Sequence, residues 1–175
     1  MHFSNFFTHC PACGSSNFVQ NNEKSKKCQD CEFVFYMNAS AAVAAFILND
    51  SGELLVCRRA KDPVKGTLDL PGGFVDDNES AENALVREIK EELQATVSNY
   101  NYLFSLPNVY EYSGLTIPTL DMFYACKLED YSKLKASDDV EECFFIPLNQ
   151  VNTELFGLKS VKKGINKFIE MKSIK

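Results

Sequence analysis

The sequence predicts an α/β domain preceded by a small metal-held module. Three features predict it. Two C-x2-C pairs, Cys10–Cys13 and Cys28–Cys31, stand near the N-terminus. A glycine-rich turn, Leu70-Pro71-Gly72-Gly73, leads into a charged helix opened by Glu79. β-prone runs lie on both sides of that helix, and the chain closes on a second amphipathic stretch.

The 175 residues suffice for one ordinary domain plus a small appendage. The chain is 45% hydrophobic with 14 phenylalanines, so a packed core is expected and disorder is not. No apolar run approaches the ~20 residues of a membrane span. The start, MHFSNFFTHC, has neither a basic segment nor a long apolar one, so no signal peptide is expected and the expected location is the cytoplasm. A net charge of -6 argues against general affinity for nucleic acid. Residues 156–175 carry six lysines against Glu170, and residues 1–38 are balanced, which leaves about -11 in the middle. Phosphates would be repelled there unless cations intervene.

The cysteines come first in order. Seven cysteines in a cytosolic chain do not suggest disulfides. Two C-x2-C knuckles separated by fourteen residues bring four thiolates into a tetrahedron, and four like ligands leave no open position, so Cys10, Cys13, Cys28 and Cys31 predict a structural Zn²⁺. A redox dithiol is the competing reading; His9 is an alternative ligand, and His2 a bystander. Ser16–Val19 and Phe33–Tyr36 are expected strands, with Asn21–Lys27 as the turn. Such a module, residues 1–38, buries too little surface to fold without its metal. Cys57, Cys126 and Cys143 sit in apolar runs and are expected as buried small hydrophobes.

Residues 39–175 form the second unit. Residues 41–49 and 53–60 are strands flanking the turn Asn49-Asp50-Ser51-Gly52. Arg58 and Arg59 end the second strand on opposite faces, and either guanidinium suits phosphate oxygens or an ion pair. In the helix, Ala81, Leu85, Ile89 and Leu93 form an apolar stripe. Glu88, Glu91 and Glu92 fall at i, i+3 and i+4, so three carboxylates share the other face. A solvated acidic face is the plain reading; a Mg²⁺ or Mn²⁺ site is the sharper one, since these cations prefer carboxylate oxygens. The carbonyl around Gly73 can approach a cation because no side chain blocks it. Beyond the helix, Thr96–Leu106 and Thr119–Leu128 alternate as strands. The segment between them holds Tyr110 and Tyr112, which either pack or stack on a base. An acidic loop, Ser137–Glu142, precedes Cys-Phe-Phe-Ile-Pro147. Leu158, Val161, Ile165, Phe168 and Ile169 make the last helix amphipathic. That stripe and the cysteine module can each pack on the core or on a second subunit.

The pattern Gly73-x5-Glu79-x7-Arg87-Glu88-Ile89-x-Glu91-Glu92 resembles the signature box of the Nudix hydrolases. One element departs: Gln94 stands where the family usually has glycine. The resemblance implies an α/β/α sandwich with a mixed sheet, ahead of which sits the zinc ribbon. It implies that Glu88, Glu91 and Glu92 hold Mg²⁺ or Mn²⁺, with Glu79, Arg87 and Gly72 shaping the site. Glu88, Glu91, Asp139 or Glu142 would act as base, and Arg59, Tyr110 and Tyr112 are candidate substrate contacts. The implied reaction is hydrolysis of a diphosphate in a nucleoside diphosphate linked to another moiety, such as NAD(H) or ADP-ribose. Nucleoside triphosphates, or nucleotide binding without turnover, are the alternatives. A ribbon ahead of such a domain is similar to the NAD(H) diphosphatases. Their downstream motif, Ser-Gln-Pro-Trp-Pro-Phe-Pro-x-Ser, is matched by Ser105, Pro107 and Ser113 only; Asn108 stands at the tryptophan position.

Overall fold

Two central strands are apolar on both faces, and that dictates the layering. Strand β4 (Ser40–Ile47) and strand β5 (Glu53–Arg59) are buried over most of their length and half-buried elsewhere, with no exposed residue. Because successive side chains point to opposite faces, Val43, Ala45, Ile47, Leu55 and Cys57 join the core beneath helix α1 (Ala81–Leu93). Ala44, Phe46, Leu54 and Val56 join the core beneath helix α2 (Lys159–Ser173). Strands covered by helices on both sides read as continuous apolar runs, and the result is the expected α/β/α sandwich. The computed structural model describes residues 3–173.

The two central strands do not pair as a hairpin. β4 runs parallel to β8 (Leu115–Leu128), which carries β7 (Val97–Tyr112) antiparallel on its other edge. β5 takes β6 (Leu68–Asp69) and β9 (Val140–Pro147), both antiparallel. The order β4-β8-β7 makes a mixed sheet, and β6-β5-β9 an antiparallel one. Across their turn β4 and β5 are joined by an isolated bridge, Leu48 to Leu54, and by the Asn49 N–H to Glu53 carbonyl bond, not by a ladder. On the α2 side, Phe46 stacks on Phe168 with centroids 4.1 Å apart, and Val161 and Ile165 fill the remaining space.

Three sequence expectations need correction in detail. The tyrosine-bearing stretch after Pro107 is not a loop: β7 and β8 form one long hairpin closed by Ser113 and Gly114, with φ of 51° and 75°. Two positive φ angles match the twist of the strands. In the N-terminal sheet, β1 (Phe18–Asn22) and β2 (Ser25–Cys28) pair through most of the expected turn, leaving Glu23 and Lys24 as the tip, and β3 (Val34–Tyr36) pairs with β2. Polar composition there marks exposed strand surface, not lack of strand. Glu142 lies on β9, not in the loop before it. Of the other cysteines, Cys57 and Cys126 are buried and Cys143 half-buried. His2 lies outside the described residues.

Helix α1 starts one residue after Glu79, at a Ser80 N-cap whose hydroxyl accepts from the Asn83 N–H at 3.2 Å. Leu85, Ile89 and Leu93 are fully buried as expected, with Ala84 more enclosed than Ala81. The helix ends on Gln94 at φ 54° and ψ 25°, its N–H bonded to the Lys90 carbonyl. This is the left-handed cap that glycine adopts without steric cost and other residues adopt at about 1 kcal/mol. Gln94→Gly is therefore expected to stabilise the fold by about 1 kcal/mol, read as a higher urea midpoint with unchanged slope; an unchanged or lower midpoint would contradict it.

Candidate functional site

The four cysteines of the N-terminal sheet converge. Their sulfurs all lie within 4.8 Å of one another, with Cys10 to Cys31 at 3.7 Å and Cys13 to Cys28 at 3.6 Å. A tetrahedron with Zn–S bonds near 2.3 Å has edges of ~3.8 Å, so the donor set fits zinc. The two knuckles repeat one backbone design. Gly14 N–H donates to the Cys10 carbonyl and Glu32 N–H to that of Cys28; Cys10 N–H donates to Ser15 and Cys28 N–H to Phe33. Gly14 and Glu32 both hold positive φ. Backbone N–H groups of Cys31 and Asp30 draw the Cys28 thiol down to about 7, against burial, whereas, against the Ser15 backbone N–H, hydrogen bonding with the Cys31 sulfur pushes Cys13 up to about 12, and Cys31 is raised as well.

The acidic helix meets the glycine turn on the other side of the chain. The Gly72 N–H donates to Glu92 Oε2 at 2.9 Å. Gly72 sits at φ 143°, where an added Cβ would also strike the Val43 carbonyl. A Cβ on Gly73 would strike the Glu88 carboxylate. Backbone bonds from Val43 N–H to the Gly73 carbonyl and from Ala45 N–H to Pro71, both 2.8 Å, stitch the turn to β4. Both glycines thus let backbone approach where a side chain cannot fit.

Arg87 ties the arrangement together. Its Nε and Nη2 form a fork on Glu79 at 3.0 and 2.8 Å. Nη1 donates to Glu88 at 2.8 Å and to Glu91 at 3.1 Å, and Nη2 also donates to the Phe74 carbonyl at 3.0 Å. All five N–H donors of the guanidinium are used. Arg87 holds Glu79 below its ordinary carboxylate range. Burial instead raises Glu88, against the pull of Arg87, and raises Glu92 well above the usual range, offset in part by the Gly72 N–H.

These groups line one end of a cavity of about 320 Å³. Glu88, Glu91, Glu92, Gly72, Gly73, Arg87, Asp138 and Asp139 form that end. Hard carboxylate oxygens around an open cavity suit Mg²⁺ or Mn²⁺. Among the described residues, however, only the four cysteines have ligand atoms already gathered within 4.8 Å. Two of the glutamates are turned onto Arg87. Asp139 pairs with Lys61, which also reaches Asp138 at 3.3 Å. Glu142 is elsewhere: it pairs with Arg58 at 2.6 Å and does not line the cavity. Arg59 lines the other end, paired with Asp69 at 2.7 Å and donating to the Tyr110 hydroxyl at 3.3 Å. Tyr110 lines the cavity edge-on to Phe74, whereas Tyr112 is 58% exposed outside it. Asp69, Asp121 and Ser160 belong to no sequence motif, and Asn108 enters one only as a departure from it, so the fold alone brings the four together. The available signal was Asp121 itself, an acid in the same strand register as the inward-facing Phe123.

The NUDIX domain family model matches residues 38–169. This chain belongs to the Nudix family. An ADP-ribose pyrophosphatase of Methanocaldococcus jannaschii is 33% identical over 134 residues, covering 75% of this chain and 76% of that protein. An NAD-capped RNA hydrolase NudC of Vibrio atlanticus is 27% identical over 133 residues. The chain matches 49% of that relative, so it spans about half the length of the NudC proteins it resembles. Among solved structures, a NUDIX hydrolase from Nitrosomonas europaea superposes with a TM-score of 0.71 over 93% of this chain and 90% of that one, at 20% identity. The NUDIX domain of Shewanella oneidensis NrtR, solved with ADP ribose, gives 0.62 over 78% and 90%, also at 20% identity. At that identity the structural likeness establishes the Nudix fold.

Protein purified without chelator is expected to carry one zinc per chain by elemental analysis, and Cys28→Ser to lose it while α1 stays folded by hydrogen exchange. Zinc-free wild-type protein would contradict the tetrathiolate assignment.

Proposed function

We propose that this chain hydrolyses the diphosphate of a nucleoside diphosphate linked to a second moiety, with NAD(H) and ADP-ribose as the leading candidates. The single observation that carries the reading is the cavity in which Glu88, Glu91 and Glu92 face the Gly72–Gly73 turn. Similarity to an ADP-ribose pyrophosphatase and to NudC proteins supports the substrate class. Residues 1–38 are read as a zinc ribbon and 39–175 as the catalytic unit. Seven free cysteines suit a reducing cytoplasm.

Glu88, Glu91 and Glu92 would hold Mg²⁺, with Mn²⁺ as the substitute. Such a cation neutralises diphosphate oxygens and lowers the pKa of a water bound to it. The chain's own residues supply the rest. Arg87 and Glu79 fix the helix against the turn, so the carboxylates keep their places. The Gly72 N–H leaves Glu92 one oxygen uncommitted. Asp139, on the cavity wall, is better placed than Glu142 to accept a proton from an attacking water. Arg59 is committed to Asp69, so it serves the substrate by shaping the wall more than by gripping phosphate.

Glu91→Gln and Glu92→Gln are each expected to lower Mg²⁺-dependent turnover of NADH or ADP-ribose by at least about 100-fold, the scale of a lost electrostatic contact to developing charge. Circular dichroism should show both variants folded. The assay reads AMP and its phosphorylated co-product by chromatography. Wild-type rates in both variants would remove the proposed metal site.

A further inference from the structure

The end of the cavity opposite the glutamates has a chemistry that hydrolysis itself does not require. Ala42 of β4, paired with Asp121 across the sheet, lines the cavity with a small side chain that leaves the space open. Asp121 stands in the wall, only 7% exposed, and makes no ion pair among the described residues. Neutral donors satisfy it instead. The Thr119 hydroxyl donates to Oδ1 at 2.6 Å, the buried Ser160 hydroxyl to Oδ2 at 2.5 Å, and Asn108 Nδ2 to Oδ2 at 3.0 Å. A buried carboxylate can be kept when such donors surround it.

This cradle fixes the Asn108 amide. A carboxylate only accepts, so the NH₂ side of the amide must face Asp121. With Thr119 and Ser160 also donating there, a flipped amide would set its oxygen against a carboxylate. One N–H and Oδ1 of Asn108 are left over. An amide offering one donor beside one acceptor is the bidentate complement of adenine, which presents its exocyclic amine next to a ring nitrogen. Guanine presents O6 in place of that amine, and two acceptors would meet. Phe74 and Tyr110, edge to face at 5.3 Å, give the same region an aromatic wall. Asp121 and the Arg59-neutralised Asp69 add no net positive charge, so phosphates are better placed at the opposite, metal-binding end.

We propose that the Asn108 end of the cavity is an adenine-selective base subsite, with Asn108 as the reading residue and Asp121 as the residue that locks its orientation. This rests on the nucleotide hydrolase reading and names its base. It also gives meaning to a departure noted in the sequence, since Asn108 replaces the tryptophan of the NAD(H)-diphosphatase motif.

The test pairs binding with turnover. Calorimetry with AMP and GMP in Mg²⁺ is expected to show AMP binding roughly ten- to a hundred-fold tighter, the range one bidentate base contact carries. Asn108→Ala should weaken AMP to the GMP level and leave GMP unchanged. Asp121→Asn, which can both donate and accept, should narrow the ratio by releasing the amide. Equal binding of AMP and GMP by the wild type, binding of neither, or an unchanged ratio in Asn108→Ala would overturn the subsite. Turnover of ADP-ribose against a GDP-linked sugar separates the two readings. AMP preference with no turnover on either would leave the subsite and remove the hydrolase. Equal turnover of both, with no preference between AMP and GMP, would leave the hydrolase and remove the subsite.

Discussion

Three glutamates can share one helical face here because a single arginine stands among them. Like charges at i and i+4 destabilise a helix, and α1 carries Glu88, Glu91 and Glu92 within little more than one turn. Arg87 answers two of them from within the same helix and reaches back to Glu79 and the Phe74 carbonyl beyond its N-terminus. A lysine could not do this: one ammonium has three donors and no planar fork. The guanidinium therefore couples the charge balance of the helix to the position of the glycine turn. If either moves, the other loses its partner. Glu92 lies outside this arrangement, buried and bonded to the turn through the Gly72 N–H. The three glutamates are consequently not equivalent, although their spacing makes them look so.

The same division runs through the cavity. At one end the protein gathers carboxylate oxygens in excess of the cations, Arg87 and Lys61, that answer them, a poor place for a phosphate until a further cation is present. At the other it uses neutral hydroxyls and an amide around Asp121, a good place for hydrogen-bonding surface without formal charge. β4 passes beneath both ends. Its alanines at 42 and 44 leave room above the strand, while its Gly73-bonded edge anchors the turn. The position of the site thus follows from one strand having small residues on one face and backbone contacts along one edge.

Much of this was legible in the sequence because the residues concerned obey local rules. Paired knuckles declare a tetrathiolate by spacing alone. Glu88, Glu91 and Glu92 declare a shared face by helical period. The apolar runs of β4 and β5 declare strands covered on both sides. Gln94 marks by its departure from glycine the place where the helix ends in a left-handed cap. What was not legible depends on partners distant in the chain. Glu142 and Asp139 look alike in sequence, and only the register of β9 against β5 sends one to Arg58 and leaves the other at the cavity. Asn108 reads as a loop residue until β7 is seen to continue through it. Asp121 gains its meaning from Ser160, which arrives from the next helix.

The parallel pairing of β4 with β8 has a kinetic consequence. Ser40 lies beside Thr119, and β5, β6, α1 and β7 all stand between them in the chain. The N-terminal knuckles, by contrast, close over short loops. Contacts distant in sequence form slowly because the loop entropy must be overcome before they give any return. The chain therefore has two clocks: a fast one at its start, where the knuckles close, and a slow one that sets when β4 becomes the floor of a cavity. During synthesis the glycine turn and the acidic helix emerge well before the strand that fixes β4 beneath them, so the two halves of the site stay apart until β8 has been made.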